Sequence, residues 1–98
     1  MFTRIVKMSF HEDNIPKFLE NFDLMQHKIR NAKGNRYLKL YQDKTNKSIF
    51  FTYSHWETEE DLENYRQSEL FYDVWSFTKK LFNEKPEAWS LNKLYNLK

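Results

Sequence analysis

Between Ser54 and Trp75 the chain reads SHWETEEDLENYRQSELFYDVW, setting one histidine, two tryptophans, two tyrosines and an arginine among acidic residues. Trp56, Tyr65, Tyr72 and Trp75 could wall a pocket for a flat ligand, and Arg66, next to Tyr65, could hold an anion. The same aromatic rows at helical period also describe ordinary packing in a small domain. His55 shares this stretch, but alternation along a strand puts it on the sheet face opposite Trp56, which reads as an interface rather than a catalytic base. His11 sits in the polar turn HEDN and His27 on the polar side of a helix. No two of the three histidines have the i, i+4 spacing of a metal site.

Composition removes several chemistries. The chain has no cysteine, so thiolate catalysis, disulfides, Fe–S clusters and cysteine-based zinc sites are excluded. It has one glycine, Gly34, whereas dinucleotide fingerprints, P-loops and nucleophile elbows each need several. No cofactor and no metal is expected. The net charge of +2, spread along the chain, gives no footprint for nucleic acid or an acidic membrane. An RNA-recognition reading of KSIFFTYS, Lys47 to Ser54, fails where Ser48, Phe50 and Ser54 replace the required glycine, small residue and second stacking aromatic. With neither a signal peptide nor a long apolar run, a cytoplasmic protein is expected.

The elements that must position these side chains follow from periodicity. At 98 residues one domain, spanning residues 1–98, is expected. Phe2 to Phe10 alternates as a strand, with Val6, Met8 and Phe10 on one face. A helix begins near Asn14 with Pro16 early, carries Ile15, Phe18, Leu19, Phe22, Met25 and Ile29 as its stripe, and is expected to end at Gly34 as a C-cap. Arg36 to Asp43 and Ser48 to Trp56 flank the polar turn KTNK as a hairpin. Thr58 and Ser68 can each cap a helical piece, the second running from about Glu69 to Asn83, and Ala88 to Tyr95 alternates as a last strand. The order β-α-β-β-α-β gives an α+β fold of ferredoxin-like type with an antiparallel sheet.

Two helices cover only one face of such a sheet. The third strand nevertheless carries large groups on both: Phe50 and Trp56 on one, Ile49, Phe51, Tyr53 and His55 on the other. An apolar patch of that size predicts a homodimer packed sheet against sheet.

The stretch SHWETEEDLENYRQSELF, a strand ending in Trp-Glu followed by a Ser/Thr cap, acidic residues and two helical pieces, resembles the antibiotic biosynthesis monooxygenase family. The resemblance implies a dimeric α+β barrel with a small pocket between sheet and helices in each subunit. It also implies oxidation of a small aromatic or quinol-like substrate by O₂ without flavin or metal, the ionised substrate itself supplying electrons. Of the residues the family's polyketide oxygenases use, Trp56 is present. Thr52 stands in place of an asparagine, Leu62 of a tyrosine and Trp75 of an arginine. The haem-degrading branch would need asparagine at Val6, tryptophan at Tyr65 and an axial histidine at Trp75, so haem degradation is not expected. Trp56, Thr52, Tyr65, Arg66 and Trp75 are therefore the candidate substrate-binding residues. The alternative is a non-enzymatic module of the same fold that binds a small hydrophobic ligand or another protein, since no general base is evident.

Overall fold

A computed structural model describes the whole chain, Met1 to Lys98. Strand β1 (Phe2–Ser9) leads through a 3₁₀ turn into helix α1 (Ile15–Arg30). The hairpin β2 (Asn35–Gln42) and β3 (Ile49–Trp56) follows, then helices α2 (Glu59–Arg66) and α3 (Glu69–Thr78), and finally β4 (Glu87–Leu91). The strands form one antiparallel sheet in the order β2-β3-β1-β4. This is the ferredoxin-like α+β arrangement, with the two long strands β1 and β3 paired at its centre along their full length, Phe2 opposite Trp56 through Ser9 opposite Ile49.

Alternation sorts the central strands into two faces. Val6 and Met8 of β1, Leu40 of β2 and Phe50 of β3 turn toward the helices, where Met8, Phe10, Phe18, Phe50 and Leu81 form the buried cluster. Aromatic packing dominates it: the Phe10 ring stacks on Phe18 at 4.3 Å and meets Phe50 edge-on at 5.7 Å. This core fills one end of the layer between sheet and helices, beside the C-terminal end of β1. Arg4 and Trp56 lie toward the other end of the same layer.

The strand-to-helix junction is fixed by two caps. The Thr58 hydroxyl accepts a hydrogen bond from the Asp61 backbone N–H at 3.0 Å, and the Ser68 hydroxyl accepts one from the Phe71 N–H at 3.1 Å. Each satisfies a backbone donor that the first helical turn leaves unpaired. The break at Ser68 turns the chain so that α2 and α3 present Tyr65, Phe71 and Trp75 to the same space.

Four local expectations are corrected. Helix α1 ends at Arg30 with Asn31 as its C-cap, so Gly34 is not the cap. Its φ of +85° belongs to the following turn, and a Cβ there would lie within 2.5 Å of the Asp61 Cβ and Cγ atoms. Helix α3 stops at Thr78 and tightens into a 3₁₀ turn over Lys79–Leu81, short of Asn83. Strand β4 stops at Leu91, whose pairing with Thr3 is the last of the β1–β4 ladder, short of Tyr95. Leu19, assigned to the buried stripe of the first helix, is about two-fifths exposed.

The outer sheet face carries Tyr53 and His55 as expected, joined by Tyr37 and Tyr41 of β2. The Tyr37 ring stacks on His55 at 4.7 Å and meets Tyr53 edge-on at 5.6 Å, with Tyr41 beside them. No helix is long and apolar enough to cross a membrane.

Candidate functional site

A cavity of about 270 Å³ lies between the helix-facing side of the sheet and helices α1, α2 and α3. That is slightly below the roughly 300–1,000 Å³ of most small-molecule sites, which suits a ligand of one to three fused rings. All five sequence-predicted residues, Thr52, Trp56, Tyr65, Arg66 and Trp75, line it. Tyr72 does not: it points to solvent and is 70% exposed.

The strands supply the floor. Thr52 stands between Val6 and Leu40 on the neighbouring strands, both turned the same way. Two residues on, Ser54 is buried and accepts a hydrogen bond from the Trp56 indole N–H at 3.0 Å. Trp56 is 2% exposed, so it is a fixed wall whose polar atom is already satisfied rather than a donor to a ligand. Truncating Trp56 to alanine would cost about 3–5 kcal/mol of fold before any effect on a ligand could be read.

The helices supply the roof. The Trp56 ring lies 5.2 Å from that of Tyr65, Tyr65 meets Phe71 edge-on at 5.3 Å, and Phe71 stacks on Trp75 at 5.8 Å. The four rings form a continuous aromatic wall from β3 to α3. Burial pushes the Tyr65 hydroxyl up to about 12, so it is neutral and a hydrogen-bond donor across the physiological range.

The polar complement is one-sided. Arg66, the last residue of α2, pairs with Glu63 at 3.4 Å in a half-exposed ion pair. Arg4, which spacing alone passes over, lines the same cavity from β1. Its signal in the sequence is its parity with Val6 and Met8, which places a charged residue on an otherwise apolar inward face. Burial, and then the charge of Arg66, hold the Arg4 guanidinium below its usual range. None of the three histidines lines the cavity, and its single carboxylate, Glu87, stands opposite Lys7 on the outer side of the sheet. No three His, Cys, Asp or Glu side chains come together as metal ligands. His55 is on the opposite face, stacked on Tyr37, as its parity with Tyr53 requires.

The antibiotic biosynthesis monooxygenase family model matches residues 1–74, and the chain belongs to that family. Its fold is shared with a conserved protein from Methanosarcina mazei Go1 (TM-score 0.88, 17% identity, 95% of this chain and 93% of that one). It is shared equally with an antibiotic biosynthesis monooxygenase (TM-score 0.90, 14% identity, 97% and 100%). Rv0793 from Mycobacterium tuberculosis is also similar (TM-score 0.86, 15% identity, 99% and 98%). No curated protein matches the chain in sequence.

Proposed function

We propose that this protein is a cofactor-independent monooxygenase acting on a small aromatic or quinol-like compound, with Thr52, Tyr65, Arg66 and Trp75 contacting the substrate and Trp56 backing it. The observation that carries this reading is the cavity walled by Trp56, Tyr65, Phe71 and Trp75 in a chain of the monooxygenase family. In such a reaction an activated ring methylene becomes a carbonyl, or a hydroquinone becomes a hydroxyquinone: in either case one oxygen atom enters the product and the other leaves as water. The substrate supplies all four electrons. The protein's tasks are to stabilise the ionised substrate, hold it rigidly and exclude water. Cationic arginines in place of a carboxylate base suit the first task, since they lower the pKa of a bound phenol or enol. The neutral Tyr65 hydroxyl suits donation to oxygen as charge develops on it.

Oxygen uptake tests the proposal. With a panel of anthrones and hydroquinones, consumption above the buffer rate is expected for at least one compound, and Trp75→Ala should reduce it. No uptake across the panel would sink the enzyme reading.

The lack of a histidine or inward carboxylate favours one second reading, a binding module of the same fold. It predicts ligand-dependent thermal stabilisation with no oxygen consumption.

The proposal includes a homodimer, in the cytoplasm, formed by packing the outer sheet faces of two copies together. Its support is the aromatic set of Tyr37, Tyr53 and His55, flanked by Tyr41 at 48% and Trp89 at 41% exposure. A monomeric mass by light scattering at micromolar concentration would overturn it.

A further inference from the structure

Arg4 occupies a costly position. It sits on the inward face of β1, opposite Ser54 on β3 and Ser90 on β4. One guanidinium nitrogen, Nη1, donates to the Ser90 hydroxyl at 3.0 Å, which ties the head to β4 and leaves its other N–H groups free of side-chain partners. The two ion pairs of the chain are Arg36–Glu57 and Arg66–Glu63, so Arg4 makes none. Arg66 stands near enough for its positive charge to act on Arg4. Two cations, one partly withdrawn from water and neither held by a buried acid, therefore line one aromatic cavity.

Nothing inside the chain explains that arrangement. A partly desolvated cation with one neutral hydrogen-bond partner keeps most of its capacity to bind an anion. The half-exposed Arg66–Glu63 pair contributes little, so Arg66 can exchange Glu63 for another anion at small cost. Planar guanidinium groups match carboxylate and phenolate oxygens with two parallel hydrogen bonds.

We propose that the cavity is selective for organic anions with an aromatic body, the anionic oxygen held by Arg4 and Arg66 and the ring lying against Tyr65, Phe71 and Trp75. The rest of the lining is mostly apolar, Val6, Met8 and Leu38 among it, and holds no third cation, so the charge stays at the arginines and the ring lies against the apolar wall. Charge complementarity would also make binding weaken with salt. This inference deepens the proposed function: it rests on the cavity being a ligand site, and not on any oxygen chemistry there.

The test compares two ligands of nearly equal shape, 2-naphthoate and 2-naphthamide, by calorimetry on the full chain. Naphthoate is expected to bind at least tenfold more tightly. The preference should vanish in Arg4→Gln, fall in Arg66→Gln and partly survive in Arg4→Lys. Arg66 is half-exposed at a helix end, so its variant keeps the test informative if Arg4→Gln folds poorly. Equal binding of the two ligands, no binding of either at millimolar concentration, or a preference unchanged in Arg66→Gln and in folded Arg4→Gln would each overturn the inference. Naphthoate preference without oxygen uptake from the wider panel would support the anion site and remove the oxygenase. Oxygen uptake with neutral and anionic ligands bound alike would do the reverse.

Discussion

The indole N–H of Trp56 is held by the hydroxyl of Ser54, 3.0 Å away on the same strand and the same face. Ser54 in turn lies across from Arg4, whose carbonyl accepts from the serine hydroxyl at 3.5 Å. The wall of the cavity and Arg4 are thus joined through one buried serine. Ser54→Ala leaves the indole N–H unpaired in the interior, and a loss of about 1–3 kcal/mol is expected. For a domain of this size that is a fall in Tm of at least about 4 °C. Thermal unfolding followed by tryptophan fluorescence checks it, and an unchanged Tm would mean that the bond carries no net stability.

Gly34 is the one glycine of the chain, and two constraints act on it separately. Its φ of +85° disfavours any side chain, and the space a Cβ would enter is filled by Asp61 on α2. Gly34→Ala is expected to cost about 1–3 kcal/mol from the backbone strain, with the clash in addition. Asparagine tolerates left-handed backbone better than alanine. If strain alone mattered, Gly34→Asn would recover much of the loss; because Asp61 also blocks the site, no recovery is expected. Urea unfolding of the two variants separates the cases.

How far the fold could be read in advance follows the range of the interactions. Thr58 and Ser68 were legible as caps because each bond spans three residues, and the placement of His55 away from Trp56 needed only the alternation of one strand. Gly34 was misassigned because its real constraint is Asp61, 27 positions later and on another element. Tyr72 reads as a possible pocket aromatic from residue type alone, and only the packing of α3 turns it to solvent. Arg4 escaped notice for a related reason: its neighbours Ser54, Arg66 and Ser90 meet it only through the sheet register and the packing of α2. Residue types announce an aromatic wall; only tertiary contacts bring Arg4 and Arg66 to the same cavity.

The outer sheet face should respond to acid. Burial first, and then the charge of Lys93, lower the His55 pKa from 6.5. A lowered folded-state pKa means that the unfolded chain takes up the proton first, so the contribution of His55 to stability is complete above about pH 6.5 and declines as pH falls below it. In the proposed dimer the same proton would be placed between two packed sheets, near Tyr37, Tyr53 and Lys93. Sedimentation velocity is expected to show the dimer fraction falling between pH 7.5 and 5, with a weaker dependence in His55→Gln. A dimer indifferent to pH in this range would separate His55 from the interface.

Tyr65 carries the last prediction, because its proton links stability and chemistry. Burial pushes its hydroxyl up to about 12, against 10.0 for an unperturbed tyrosine. Between these values the native chain keeps a proton that the unfolded chain has lost, so stability should decline as pH climbs from about 10 toward 12. Tyr65→Phe removes that slope, and urea unfolding repeated across the alkaline range should show it; tyrosinate absorbance should also lose its latest step. The same substitution removes the neutral donor proposed to face reduced oxygen. Loss of a single such donor lowers turnover by about 10²–10³-fold where it acts in the transition state, whereas a merely packed phenol would leave turnover nearly unchanged. An alkaline effect without a loss of turnover would confine Tyr65 to the wall; both effects together would make it part of the chemistry.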